Sequence, residues 1–344
     1  MASTLGRIAD LSGVSKSTVS RVVNGDTRVS PDTRKHVLAV ITAEGYRPNF
    51  SARGLASGRT NILAAVMPAA MTNLASDPYF RQLLLGLARS ADTHDQFLML
   101  SLAQPGFKHT PDEAIRQGVV DGVIFSIATF DDPQLEPLIE GDIPLVCIGP
   151  VADRRVNRVD ADNRGSSKQA VTHLLRLGRR RVAHISGPSY SPVTADRLAG
   201  YRAALEAWGI TYDPALVFEG DFTERSGRSG ARALLRHNPD AIFATNDAMA
   251  SGALTELISH GVNVPDDVAL VGFDDLEFAA EMDPPLTTIR QDPAALAETA
   301  VELLLDLIAE PDPNAPPRRV VLPTELIVRA SCGSRSDASK RESE

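Results

Sequence analysis

The sequence predicts an all-α helix-turn-helix headpiece joined to an α/β core of two subdomains with parallel sheets. Three observations carry that prediction. Residues 1–45 hold short amphipathic stretches separated by a glycine. From Ile62 onward, short apolar runs alternate with helical periodicity in two comparable series. Charge divides between the parts: residues 1–60 carry nine Lys/Arg and four Asp/Glu, within a chain whose formal net charge is −9. A small basic head on an acidic body suits a DNA-binder whose body stays off the phosphates. At 344 residues the chain is also too long for one ordinary core.

Leu5, Ile8 and Leu11 recur at helical spacing, so Leu5–Ser12 reads as an amphipathic helix. Gly13 breaks it where a tight turn needs an unhindered backbone. Ser15 is a natural N-cap for a second helix whose Val19 and Val22 face back onto the first. Two such helices joined by a glycine-containing turn make a helix-turn-helix, whose second helix meets base edges with its first turn. Here that turn offers Lys16 and Ser17, with Arg21 one turn on, all donors suited to bases or phosphates. A third helix starts at the Ser30 cap with Pro31 in its first position; Val37, Val40 and Ile41 form its buried stripe and Gly45 ends it.

The core alternates in order. Apolar runs Ile62–Met67, Phe97–Leu100, Gly122–Phe125 and Leu145–Ile148 are separated by helical patterns at Tyr79–Ala91, Asp112–Gln117 and Gln134–Glu140. A second series begins near Asp160, with helices at Gly165–Leu177, Ala195–Trp208, Ser226–Leu235 and Asp247–His260. Its strands fall at Val182–Ile185, Leu216–Phe218, Ala241–Ala244 and Val268–Phe273. Strands apolar on both faces are the mark of parallel sheets covered by helices. After Thr287-Thr288-Ile289 come a long helix, Pro293–Ile308, and the runs Val320–Leu322 and Leu326–Val328.

The composition, 43% hydrophobic and 23% charged, is that of a soluble globular protein. No apolar run reaches the roughly 18 residues of a membrane span, and no secretion signal is apparent, so a cytoplasmic location is expected. Cys147 and Cys332 lie far apart without metal spacing and read as free thiols, and no cofactor or metal is expected. No P-loop, Rossmann glycine fingerprint, His-Glu-x-x-His or nucleophile elbow is present. Asp274 and Asp275 are adjacent on one turn and cannot flank a scissile bond, so an enzyme is not expected.

Gly13-Val14-Ser15, Thr18-Val19-Ser20-Arg21-Val22, Asn24-Gly25, Val29-Ser30, Thr33-Arg34, Gly45-Tyr46, Pro48-Asn49, Ala52-Arg53, Leu55 and Thr60 together resemble the signature of the LacI/GalR family of bacterial repressors. The resemblance implies a headpiece at 1–47, a hinge helix and linker at 48–60, and an effector-binding core at 61–331 with the periplasmic-binding-protein architecture. The N-subdomain would comprise about 61–159 with 290–318, the C-subdomain about 160–289 with 319–331, and 332–344 a disordered tail. It also implies double-stranded operator DNA, a homodimer and a small-molecule effector, a sugar or sugar derivative, as partners.

Its DNA-binding set falls on Ser15, Lys16, Ser17, Thr18, Arg21, Asn24 and Arg28, and in the hinge on Asn49, Ala52, Arg53 and Leu55. A hinge helix of about eight residues is short of the roughly 12–15 that persist alone in water, and Gly54 weakens it further. It would therefore fold on DNA, where Leu55 matches a residue that wedges between base pairs; packing of Leu55 on its own headpiece is the alternative.

Ligands of open α/β sheets sit at the carboxyl ends of the strands. Residues after successive apolar runs match the family's effector contacts: Arg197, Asn246, Asp274 and Gln291, with Phe222 as a stacking ring. Tyr79, in the Pro-Phe-Phe-like Pro78-Tyr79-Phe80, joins them from the first series, and Asp160 stands in for a contact missing at Gly149-Pro150. Asn246 also suits a helix cap, and Arg197 a carboxylate partner. Where many sugar-binding relatives carry a polar residue, this chain has Gly149-Pro150, and its loop Pro68–Asp77 is long. Against the regulator stand two other readings, a sugar-binding module without a DNA role and a DNA-binder without an effector.

Overall fold

The structure is a computed structural model. It describes residues 4–23, 26–46, 59–68, 77–103, 113, 116–126, 129–130, 132–141, 143–151, 153–312 and 314–334. Two compact units divide the chain, Met1–Asn61 and Ile62–Glu344.

The first unit contains helices α1 (Leu5–Ser12), α2 (Lys16–Val23) and α3 (Pro31–Ala43). Thr4 caps α1, and Gly13 closes it at φ 63°, a left-handed turn that its missing Cβ permits. The Ser15 hydroxyl accepts the Thr18 amide at 3.1 Å and so caps α2. Ser30 caps α3 through the Thr33 amide at 3.3 Å, with Pro31 in the first turn. Ile8, Val19, Val22 and Val37 are buried together, with Val40 and Ile41 half-buried beside them. This small core leaves the outer face of α2 to solvent.

The second unit contains two six-stranded sheets. The first comprises β1 (Ile62–Pro68), β2 (Phe97–Ala103), β3 (Gly122–Ser126), β4 (Leu145–Ile148), β5 (Asn157–Ala161) and β11 (Arg319–Leu322), in the order β11-β5-β4-β3-β1-β2, all parallel. Helices α4 (Pro78–Thr93), α5 (Leu135–Glu140) and α10 (Pro293–Ala309) accompany it. The second sheet comprises β6 (Val182–Ser186), β7 (Val217–Glu219), β8 (Ala241–Ala244), β9 (Ala269–Asp274), β10 (Thr287–Arg290) and β12 (Glu325–Ile327). Its order is β12-β10-β9-β8-β6-β7, with only β12 antiparallel. Helices α6 (Asn163–Arg176), α7 (Pro192–Ala207), α8 (Glu224–Leu235) and α9 (Asp247–Ser259) cover it.

Alternate residues of one strand serve cores on opposite faces. Leu63, Ala65 and Met67 pack with Leu296, Ala300 and Leu304 of α10, whereas Ala64 and Val66 pack with Val123, Phe125 and Leu138. This two-sided burial is why the strands read as continuous apolar runs.

Two expectations are corrected. Residues 319–322 were expected with the second subdomain, but β11 pairs with β5 in the first sheet, Arg319 opposite Arg158 through Leu322 opposite Ala161. The third crossing between subdomains therefore comes at Pro323-Thr324, after β11. Partner choice is long-range, and a half-buried run such as Arg-Val-Val-Leu does not carry it. Cys332 was placed at the start of a tail; instead it is fully buried and ends the short 3-10 turn Ala330–Cys332, its Sγ 3.3 Å from His173 Nε2. Residues 48–58 of the hinge, the loop 69–76 and half of the helix expected at 112–117 lie outside the described residues, as does the tail beyond 334.

Candidate functional site

In the first unit, α2 presents Lys16, Ser17 and Arg21 on its exposed face, while Thr18 is half-buried. The Ser15 hydroxyl is shared among the Thr18 amide, Ser17 Oγ at 2.7 Å and Thr18 Oγ1 at 2.9 Å, so these hydroxyls already bond one another. Arg28 is exposed and forms a forked pair with Asp26, Nε to Oδ1 at 3.0 Å and Nη2 to Oδ2 at 2.7 Å. The Arg28 bonds hold the Asp26 carboxyl well below the usual carboxylate range. Asn24, Asn49, Ala52, Arg53 and Leu55 lie outside the described residues.

In the second unit, the parallel βα connections place successive side chains at the carboxyl ends of both sheets. Arg197, in α7 after β6, is buried and donates from Nε to Asn163 Oδ1 at 2.8 Å and from Nη1 to the Thr245 carbonyl at 2.6 Å. Its guanidinium lies 3.5 Å over the Phe273 ring. Nη1 is 3.7 Å from Asp274 Oδ1, which also accepts from Gln291 Nε2 at 2.6 Å. Asn163 donates in turn to Asp160 Oδ1 at 3.1 Å. A polar chain thus runs Asp160–Asn163–Arg197–Asp274–Gln291. It joins the first sheet, through β5, to the second, through β9 and β10.

Burial sets the protonation of this chain. It pushes the Asp160 carboxyl up to about 7 against the pull of Arg158. Burial raises Asp274 above the ordinary carboxylate range as well, with Arg197 pulling the other way. Asp247 lies behind Asp274 and is fully buried; burial, then the Asp274 charge, raises it well above its usual value. Its oxygens accept from Thr288 Oγ1 at 2.6 Å and the Leu276 amide at 2.9 Å. Burial lowers the Arg197 pKa, and the nearby carboxylates counter it. Tyr79, in the first turn of α4, has its phenol raised by burial and by the Asp274 charge, which places it facing the second sheet's cluster.

Asn246 and Phe222 form the adjoining wall. Asn246 Oδ1 accepts the Met249 amide at 2.9 Å, capping α9, and Nδ2 donates to the Phe222 carbonyl at 3.0 Å. The amide is therefore engaged at both ends, as a cap and as a strap on the Phe222 turn. Phe222 has φ 66°, and its ring lies where a Cβ on Gly187 would sit. Five of the seven expected effector residues, Tyr79, Asp160, Arg197, Asp274 and Gln291, thus lie in one cluster between the sheets, and Asn246 and Phe222 bond each other beside it, next to Thr245, whose carbonyl accepts from Arg197. Asp275 points away, held by Arg290 Nε and Arg329 Nη2 at 2.7 Å each.

The sequence reading missed Asn163, although it joins Asp160 to Arg197. The after-strand rule finds it only once β5 is recognised, and Asn157-Arg158-Val159-Asp160-Ala161 is too polar to read as a strand. It also missed Thr194, whose Oγ1 is buried with no hydrogen-bond partner among the described residues, beside Gly187 and Phe222.

Comparison with known proteins places this geometry. Residues 4–49 match the bacterial regulatory proteins of the lacI family, and residues 171–332 match a periplasmic binding protein-like domain. The chain is 38% identical over 334 residues to the HTH-type transcriptional regulator CelR of Thermobifida fusca, covering 95% of this chain and 98% of that one. It is 34% identical to DegA of Bacillus subtilis, covering 96% and 98%. Among solved structures, the CelR–cellobiose complex superposes with a TM-score of 0.74 at 37% identity, covering 96% and 99%. The lac repressor dimer bound to operator and the anti-inducer ONPF gives 0.82 at 29% identity, covering 97% and 100%. Among the described residues, no helix is long and apolar enough to cross a membrane.

Proposed function

We propose, for a chain that belongs to the lacI family of bacterial regulatory proteins, a cytoplasmic homodimeric transcriptional repressor that binds a palindromic operator under control of a carbohydrate effector. The observation that carries the effector half is the Arg197–Asp274 pair, tied through Asn163 to Asp160 of the other sheet. A planar guanidinium beside a carboxylate suits vicinal hydroxyls, and the Phe222 ring suits the apolar face of a pyranose. Relatives solved with cellobiose and with ONPF support a ligand of this kind.

On the DNA side, Lys16, Ser17 and Arg21 read the major groove, while Ser15, Thr18, Asn24 and Arg28 position the headpiece on the backbone. Asn49, Ala52, Arg53 and Leu55 engage the minor groove at the operator centre, with Leu55 as the wedge. The test begins by selecting operators from random duplexes with the full chain. Binding of a palindromic consensus is then titrated with a sugar panel. A sugar that changes operator affinity, and whose effect disappears in Arg197→Ala, is the expected result; an operator affinity indifferent to every ligand bound by the core defeats the proposal. Leu55→Ala should weaken consensus binding more than random-sequence binding, and equal losses remove the wedge.

A further inference from the structure

The space between the sheets carries a charge pattern that restricts its ligand. Asp160, Asp247 and Asp274 are buried there, and Asp77, which raises Asp274 further, is close by at the N-terminus of α4. Among them Arg197 is the central cation, and its Nε and Nη1 already donate within the protein. Arg158 acts on Asp160 from the β5 side, where Asp196 acts against it. Arg290 and Arg329 are turned to Asp275.

The usual alternative for holding an anion is a free helix N-terminus. Here four of those ends are closed by an acid or an amide, and the Thr223 hydroxyl caps α8. Asp77 accepts the Tyr79 amide at the head of α4, and Asp162 accepts the Gly165 amide at the head of α6. Asn246 caps α9, whose first residue is Asp247, and Asp292 accepts the Ala294 and Ala295 amides of α10. Ser191 leaves α7 without a side-chain cap, but Asp196 follows in that helix. The buried Thr194 hydroxyl is open, without a partner among the described residues and beside the Phe222 ring. The buried Arg158 Nε also lacks a hydrogen-bond partner among the described residues, but its charge is answered by Asp160 and Asp196.

We infer that this cleft admits uncharged polyhydroxylated ligands and rejects their phosphorylated or carboxylate-bearing counterparts. The inference rests on the effector reading above. An incoming phosphate has to shed water against several buried carboxylates that outnumber the central cation, itself already paired with Asp274, which is repulsion built against the wrong ligand. A neutral sugar exchanges hydroxyl bonds with the same groups without that cost.

The test is calorimetric titration of the full chain with matched pairs: cellobiose and cellobionate, glucose with glucose 6-phosphate and glucuronate, ribose and ribose 5-phosphate. Titrations are run at pH 8, above the value of about 7 to which Asp160 and Asp274 are raised, and at raised salt, so that the basic headpiece contributes little anion binding. In any pair that binds, the anionic member is expected to be weaker by at least about tenfold. Asp160→Asn, shown folded by its melting transition, is expected to narrow that ratio. An anion bound as tightly as its neutral parent by the wild-type chain overturns the charge rule and leaves the effector cleft standing. Binding of neither class overturns the effector reading itself, and the charge rule with it.

Discussion

Arg197 is almost wholly removed from water, and every partner it has is polar or aromatic. Removing it leaves Asp274 buried without its cation and Asn163 Oδ1 without its donor. Stranding one member of a buried pair typically costs about 3–5 kcal/mol. Arg197→Ala should therefore lower unfolding stability by an amount of that order in denaturant titrations, besides abolishing effector binding. Asp160 makes a prediction of opposite character. Its folded pKa is about 7 against an ordinary 3.8, so its contribution to stability is fully present below 3.8 and is lost as pH rises through 7. Asn at this position keeps an oxygen that accepts the Ala161 amide and Asn163 Nδ2. Relative to wild type, Asp160→Asn should thus gain stability from pH 4 to pH 8, by on the order of a few kcal/mol. A stability difference independent of pH would show that Asp160 is ionised in the fold.

The same residue scale shows what could be read in advance. Arg197 and Asp274 could be located because β6 and β9 are mostly apolar, whereas Gln291 follows Thr-Thr-Ile-Arg and was found from the run that begins at Leu286. Asn163 was not, since its strand β5 has charged residues at Arg158 and Asp160 and its own position looks like the first turn of a helix. Asn246 was legible as a helix cap, since it precedes an apolar helix, and its Oδ1 does accept the Met249 amide; its Nδ2 bond to the Phe222 carbonyl is a tertiary contact that no local pattern announces.

At the scale of elements, boundaries came out where caps and glycines punctuate the chain: Leu5–Ser12 ends at Gly13, and Pro31 opens α3 behind Ser30. Sheet membership was harder, because the pairing of β11 with β5 joins residues far apart in sequence. Helix pairing was likewise hidden in small residues. A Cβ on Gly252 of α9 would overlap the Glu224 carbonyl of α8, and one on Gly227 of α8 would overlap the Met249 carbonyl of α9. Intrinsic propensity alone favours Ala over Gly in a helix by about 1 kcal/mol. Here the overlap is with backbone oxygen on both sides, and neither can rotate away. Gly252→Ala should therefore destabilise by about 1–3 kcal/mol, the usual cost of overpacking, despite the propensity gain. Thermal unfolding at fixed protein concentration reads the sign directly; a raised melting temperature would mean that α8 and α9 can slide apart without penalty. Asn246 stands at the head of the same helix. Asn246→Asp should retain the cap, whereas Asn246→Ala should lose about 1 kcal/mol and free the Phe222 turn.

For the core as a whole, the chain passes between the sheets three times: after β5, after β10 and after β11. Each passage is adjacent to the polar chain or bonded to a neighbour of it. Asp160 bonds Asn163 across the first, Gln291 reaches Asp274 at the second, and Thr324 of the third bonds Ser166 of α6. A ligand held, as proposed, by Arg197 and Asp274 would therefore act next to all three passages, and its differential affinity for one arrangement of the sheets is what it could transmit. Beyond β3, the Phe130 amide donates to the Tyr190 carbonyl, in the loop after β6, at 3.2 Å. This bond joins the two subdomains and would break if they moved apart. Both rings are exposed, at 49% for Phe130 and 52% for Tyr190, so the contact is a backbone latch without an apolar seal. Such a bond opens easily and is sensitive to small changes in the populations of open and closed forms. The Phe130 amide should exchange rapidly with deuterium in the free protein and slow by at least about tenfold when a carbohydrate effector saturates the cleft. Amides of buried β3, such as Phe125, should change little under the same conditions and serve as the reference. If Phe130 exchanges at one rate with and without a bound effector, the ligand does not favour closure, and control of DNA binding has to run through a motion other than the approach of the two sheets.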